Sequence, residues 1–157
     1  MGSGSKFASV ISTRGGRVNA INAADIATND RFAKEMLDDM SNKGIDFTKD
    51  KIEFAVRLEN GNHIFLEKEN EKSGLVHICM RHSDDFYRAF GVDKTNLSSF
   101  LYDTITKGKL VSSIRRDSNG KEGYRKVYYY QGRRTVVFSI AGNGYIIESR
   151  PKKYGGN

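Results

Sequence analysis

The sequence predicts an α+β domain, with N-terminal helices packed on a four- to five-stranded antiparallel sheet formed mainly by the C-terminal third. Three observations predict it. Apolar residues recur at helical spacing in stretches before Gly108, the period changes to two after it, and the last strands are joined by short turns that force antiparallel neighbours.

Between residues 23 and 43, Phe32, Met36, Leu37 and Met40 share one helical face; Asn29 and Asp30 can cap an inner turn, and Gly44 can close the end. Ile52, Phe54, Val56 and Leu58 then alternate with Glu53, Ala55 and Arg57, and Asn60-Gly61-Asn62 turns the chain into His63–Glu67, a hairpin signature. A polar stretch, 68–73, precedes the segment 74–82. Ser83 can cap a short helix over 84–90 that stops at Gly91, and Thr95 a second in which Leu97, Phe100, Leu101 and Ile105 share a face. The two-residue period begins near Leu110 and continues in strands over about 123–130, 133–140 and 145–149, separated by turns rich in Gly, Asn, Asp and Gln. In strand 133–140, Val136, Phe138 and Ile140 are assigned to the core. Arg133, Thr135, Val137 and Ser139 are left pointing outward, and Arg134 shares the inner parity at the strand's frayed start. In the last strand Tyr145, Ile147 and Ser149 alternate with Ile146 and Glu148, and the inward parity is open.

A length of 157 residues suits one domain, and no compositional seam divides it. Met1–Ser5 reads as an expression scar, leaving a single domain over 6–157 with its core at about 20–151. No apolar run has the roughly 18 residues needed to cross a bilayer, and no secretion signal is evident, so membrane insertion by this segment is not expected. The single cysteine, Cys79, excludes an internal disulfide and a Cys-type metal site, and reads as a small packed side chain in a reducing compartment.

Net charge is +7, and its distribution is uneven. Residues 106–157 hold twelve Lys/Arg against three acidic residues, together with six of the eight tyrosines, whereas the remainder is slightly acidic. Such a surface pairs phosphates and stacks bases; the same composition also serves a merely solvated strand face with Tyr as a β-former. The candidate RNA-binding residues are Arg81, Arg115, Arg116, Lys126, Tyr128, Tyr130, Arg133 and Ser139.

RNA can be cleaved without a metal by its own 2′-hydroxyl, given a base, an acid and one or two fixed cations. Histidine suits both proton roles, and arginine's fork of donors suits the phosphorane. Two of the three histidines, His77 and His82, stand five residues apart in 74–82, with Arg81 beside the second. Taken singly, each could equally pack at an element's edge. The i,i+5 spacing does not match a helical zinc pair, no Gly-rich phosphate loop opens a helix, and Glu148 and Lys152 do not make the cluster of a magnesium nuclease. No metal or other cofactor is expected. His63 reads as a surface strand residue.

The segment Gly74-Leu-Val-His77-Ile-Cys-Met-Arg-His82, followed by Asp85-Phe86, two short helices and strands closing with Asn143-Gly144-Tyr-Ile-Ile-Glu-Ser149-Arg-Pro151, resembles the toxin branch of the barnase, EndoU, colicin and RelE superfamily. It is most similar to the C-terminal nuclease domains of contact-dependent growth inhibition and related polymorphic toxins. The resemblance spans about 52–151. It implies a ribonuclease, often acting on tRNA, that needs no metal and releases a 2′,3′-cyclic phosphate. It also implies delivery by a secreted or cell-surface bacterial effector into the target-cell cytoplasm, and neutralisation by a cognate immunity protein, expected to be acidic. Carried over residue by residue, it gives His77 or His82 as the acid/base group. Arg133 or Arg134 and Thr135 on the penultimate strand, and Ser149 on the last, become phosphate-binding cations and hydroxyls. No pair of histidines flanks a Gly-Gly turn as in EndoU enzymes. Glu148 could replace the barnase base, or could simply pair with Arg150. Two other classes fit the composition: a non-catalytic RNA-binding module, and a metal-dependent DNA endonuclease.

Overall fold

The structure, a computed structural model, describes residues 18–132 and 134–152. The proposed scar at 1–5 and Arg133 lie outside the described residues. Among the described residues the fold is α+β, with four α-helices and two antiparallel sheets. Strand β1 (Asn19–Asn22) leads into a short helix α1 (Ala23–Ala27), closed at its start by a capping box between Asn22 and Asp25. Helix α2 (Arg31–Asn42) follows, its first amides held by the Asp30 carboxylate. The expected helix over 23–43 is thus two helices, divided where Asn29 adopts a positive φ of 61°.

The hairpin β2 (Ile52–Arg57) and β3 (His63–Glu67) forms as its alternation requires, and β1 adds to it in the order β1-β2-β3. Helix α3 (Gly74–Phe90) is continuous; the segment 74–82 and the short helix expected after Ser83 are one element. Ser83 caps nothing, because no proline or glycine interrupts Leu75–Phe90 and the apolar face carries through from Ile78 to Phe86. Helix α4 (Leu97–Lys107) ends at Gly108. Strands β4 (Lys109–Arg115), β5 (Gly123–Tyr129), β6 (Val136–Ala141) and β7 (Ile146–Pro151) form the second sheet in sequential order, as the short turns demand.

The sheets are joined: the Phe65 amide donates to the Gly144 carbonyl (2.9 Å), and Phe65 bridges Tyr145 in parallel. Only a glycine allows this approach, since a side chain at Gly144 would strike the His63 carbonyl, and φ there is +100°. A main core gathers Phe54, Ile64 and Leu66 of the first sheet, Ile78 and Phe86 of α3, Leu97 and Leu101 of α4, and Tyr128, Phe138 and Ile146 of the second sheet. A smaller one lies between α2 and the other face of the hairpin.

Candidate functional site

Helix α3 lies along β7, the edge strand of the second sheet, more extensively than along any other strand. Its start is pinned there. Gly74 has φ +83°, and a side chain on it would collide with the Glu67 carbonyl and Glu69; the preceding Ser73 hydroxyl pairs with the Tyr145 hydroxyl at 2.8 Å. The first turn of α3 is therefore fixed against the ends of both β3 and β7, and His77 stands one turn further on.

Opposite it, β7 carries an irregularity. Ser139 of β6 pairs with Glu148, but the next residue, Ile140, pairs with Ile146, so Ile147 is an extra residue on β7. An uninterrupted strand would put Ile146 and Glu148 on one face. The bulge sends Ile146 and Ser149 into the core and turns Glu148 to the other side. That side of the strand meets the histidines. His77 Nε2 lies 3.1 Å from Glu148 Oε1, and His82 Nε2 lies 3.2 Å from Glu148 Oε2. The chain of contacts continues at both ends: His77 Nδ1 to the Glu71 carbonyl at 2.7 Å, His82 Nδ1 to Asp85 Oδ2 at 3.0 Å, and Arg88 to the other Asp85 oxygen at 2.9 Å.

Proton accounting constrains this chain. The Glu71 carbonyl can only accept, so His77 Nδ1 carries a proton. An ionised Glu148 can accept from both Nε2 atoms and an ionised Asp85 from His82 Nδ1, so making every contact at once requires a proton on each of the four ring nitrogens. Half-burial pushes the Glu148 carboxyl up, but the hydrogen bond from His77 and the charge and hydrogen bond of His82 outweigh it and hold it below its ordinary value. The rings are largely covered, at 10% and 15% side-chain exposure, whereas Glu148 keeps 34%. Of the three side chains, that of Glu148 is the most exposed.

Beside Glu148 stands a cluster of like charges. Arg150 lies two residues along β7 on the same face, and Arg125 shares a cross-sheet row with Ser139 and Glu148, about 10 Å from the latter at the backbone. Burial, then the charges of Arg116 and Arg150, lower the Arg125 guanidinium from its ordinary value. No carboxylate of the described residues pairs with Arg116, Arg125 or Arg150. The Arg150 to Glu148 pair weighed from sequence does not form, since Glu148 is taken by the imidazoles. The apolar centre of this face, Val127 and Val137, is itself covered.

The other expected site residues distribute as follows. Ser139 is exposed in the row between Arg125 and Glu148, and Arg81 is exposed on α3 next to His82. Arg115 is exposed but pairs with Asp117 at 2.9 Å. Thr135 precedes β6 rather than lying on it, and its carbonyl accepts from the Lys152 amide; it stands four residues from Ser139, roughly 13 Å along the sheet. By register Thr135 does not join the imidazole cluster, and Arg134 precedes it, outside β6. Ser149 is buried in the core and donates to the Val137 carbonyl, so its hydroxyl cannot meet a substrate. Tyr128 is 1% exposed in the main core, its hydroxyl without a partner, and cannot stack a base. Tyr130 is half-buried against Phe100. Lys126 points to the inner face, where it donates to Ser113 Oγ. His63 is a buried residue, not a surface one.

Asp85, Arg125 and Arg150 were absent from the sequence-derived site, and Glu148 was weighed there only as an alternative base. The signal for the two β7 residues is the bulge, which alternation alone does not reveal. Among the described residues no group of three or more His, Cys, Asp or Glu is arranged to hold a metal ion, and no helix is long and apolar enough to cross a membrane. No protein-family model matches this chain, and comparison with curated proteins gives no match.

Proposed function

We propose that this chain is a ribonuclease that cleaves RNA, most readily tRNA, through the substrate's own 2′-hydroxyl. It would be the toxic C-terminal module of a growth-inhibition effector of the barnase, EndoU, colicin and RelE type, delivered into the target-cell cytoplasm. The observation that carries the reading is one carboxylate held at both oxygens by imidazoles, beside arginines that have no counter-ion. A phosphodiester supplies the missing negative charge, and the carboxylate and imidazoles supply the proton transfers.

In the proposed step Glu148, ionised and the most accessible of the three, takes the proton of the 2′-hydroxyl. The 2′ oxygen bonds to phosphorus, the bond from phosphorus to the 5′ oxygen breaks, and His82 gives its Nε2 proton to that leaving oxygen. Arg125 and Arg150 face the phosphorane charge. Glu148 then returns the proton to His82 across their shared contact, which restores both groups and leaves a 2′,3′-cyclic phosphate. His77 is a positioning residue that fixes the other carboxylate oxygen. This takes up the Glu148 base that the sequence left open beside a histidine, and leaves Thr135 and Ser149 out of the phosphate-binding set.

An acidic immunity protein would cover the Arg116, Arg125 and Arg150 surface and leave on addition of salt. The decisive test is incubation with total tRNA in EDTA, with fragment ends mapped. Cyclic-phosphate ends in wild type, and their loss in Glu148→Gln and His82→Ala, are expected. Intact tRNA in EDTA together with magnesium-dependent cutting of DNA overturns the reading. RNA binding without cleavage at any pH would leave a binding module instead.

A further inference from the structure

Lys126 was expected among the phosphate-binding cations, and its actual position creates a different problem. Successive residues of β5 face opposite ways, so while Arg125 joins the arginine cluster Lys126 enters the inner face. Burial lowers its ammonium from the ordinary value, and nothing else contributes. Its one polar partner is the neutral Ser113 hydroxyl at 2.9 Å; no carboxylate of the described residues lies within ion-pair distance. A half-buried ammonium lacking an anion is costly unless something else supplies one.

Both Lys126 and Ser113 line a cavity of about 580 Å³ between the two sheets. This volume falls in the range of small-molecule sites. Leu58, Ile64, Leu110 and Ile140 contribute apolar side chains to its wall. The turns at 60–62 and 142–144 also line it, and there Asn60 and Asn143 each turn their amide oxygen to a backbone N–H, of Asn62 and Tyr145 respectively. What each leaves over is an NH₂ donor. Lys43, also in the lining, is engaged by the Gly61 carbonyl and Asp39, and Glu122 by the Tyr124 hydroxyl. Lys126 is thus the one cation of the lining with no carbonyl or carboxylate partner, and it stands beside an apolar wall; His63, which also lines the cavity, is buried with neither ring nitrogen hydrogen-bonded.

We infer that this cavity is a binding site for a small monocarboxylate with an apolar body, its carboxylate on Lys126 and its body against Leu58, Ile64, Leu110 and Ile140. One ammonium matches one negative charge, and the apolar wall disfavours a hydrated dianion such as inorganic phosphate. The site lies on the inner side of the sheet and does not depend on the ribonuclease reading.

Calorimetric titration of octanoate, octanol and inorganic phosphate into the full chain, with amide shifts followed by NMR, tests it. Octanoate should bind at least about tenfold tighter than octanol and move the amides of turns 60–62 and 142–144. Lys126→Met should abolish that preference while octanol binding persists, and Lys126→Arg should retain it. Should Lys126→Met fail to fold, the wild-type preference and the Lys126→Arg result decide. Equal affinity for octanoate and octanol, shifts confined to α3 and the Arg116 and Arg150 surface, or displacement of octanoate by phosphate each overturns the inference.

Discussion

Two regions of this molecule each set a histidine 3.1 Å from a carboxylate, and they differ in alignment and in access to solvent. In the first, His63 of β3 lies against Asp39 of α2; the distance is that of an ion pair, yet neither ring nitrogen has an aligned hydrogen bond, and the ring is fully covered. Burial first, then the nearby Lys43 charge, lowers its pKa despite Asp39. In the second, the rings of α3 meet Glu148 with aligned contacts on both oxygens, and that side chain reaches solvent. Proximity is common to both. Alignment, a second ring and access to solvent distinguish the second from the first.

The largest effect expected from this contrast is in cleavage rate. Glu148→Gln should lower kcat by about 10²- to 10⁴-fold, while His63→Leu leaves it unchanged. Comparable loss in both variants, measured on a labelled RNA, would erase the distinction. The stability of His63→Leu should stay within about 1 kcal/mol of wild type or rise in denaturant titration, because the ring it removes makes no hydrogen bond. Next in size is RNA affinity. Arg125→Ala and Arg150→Ala should each weaken binding and reduce the slope of log K against log salt by about one, whereas Arg115→Ala, already paired with Asp117, should change it less. A smaller effect concerns how the His82 ring is held. Asp85→Asn should shift the pH profile of cleavage with little change in KM, because Asp85 touches only the far nitrogen of His82; an unaltered profile would remove Asp85 from the relay.

The smallest is in the pH dependence of folding. Glu148 has a folded pKa below its ordinary 4.5, so its contribution to stability is present above that value and disappears as pH falls through the lower, folded one. Glu148→Gln should therefore flatten the acid limb of a melting-temperature profile and leave the region above pH 5 without added slope.

Much of the fold was legible because it rests on periodicity. The hairpin, the amphipathic face of α4 and the four sequential strands follow from alternation and short turns, and the inward set Val136, Phe138 and Ile140 is the one observed. Strand β1 was not legible, since Asn19–Asn22 is four residues with two asparagines and acquires its state only by pairing with β2. The site was legible only in part. His77 and His82 stood out as rare titratable groups, but which carboxylate they meet depends on tertiary packing across some 70 residues. Tyr128 and Lys126 show why composition misleads here. Both share the parity of the inner face, so an aromatic and a cation counted toward the RNA surface belong to the core and to a cavity.

The extra residue on β7 carries a consequence for how this protein can change. Because Ile147 is the residue the ladder skips, removing it would pair Ile146 and Glu148 with Ile140 and Ser139 without a break, and regular alternation would keep Ile146 inward and Glu148 toward the histidines. The extra residue is what the strand can spare: substitutions at Ile147 and a single-codon deletion of it should both preserve that facing, whereas loss of Ser149 would draw Arg150 into the place the core now gives to a hydroxyl.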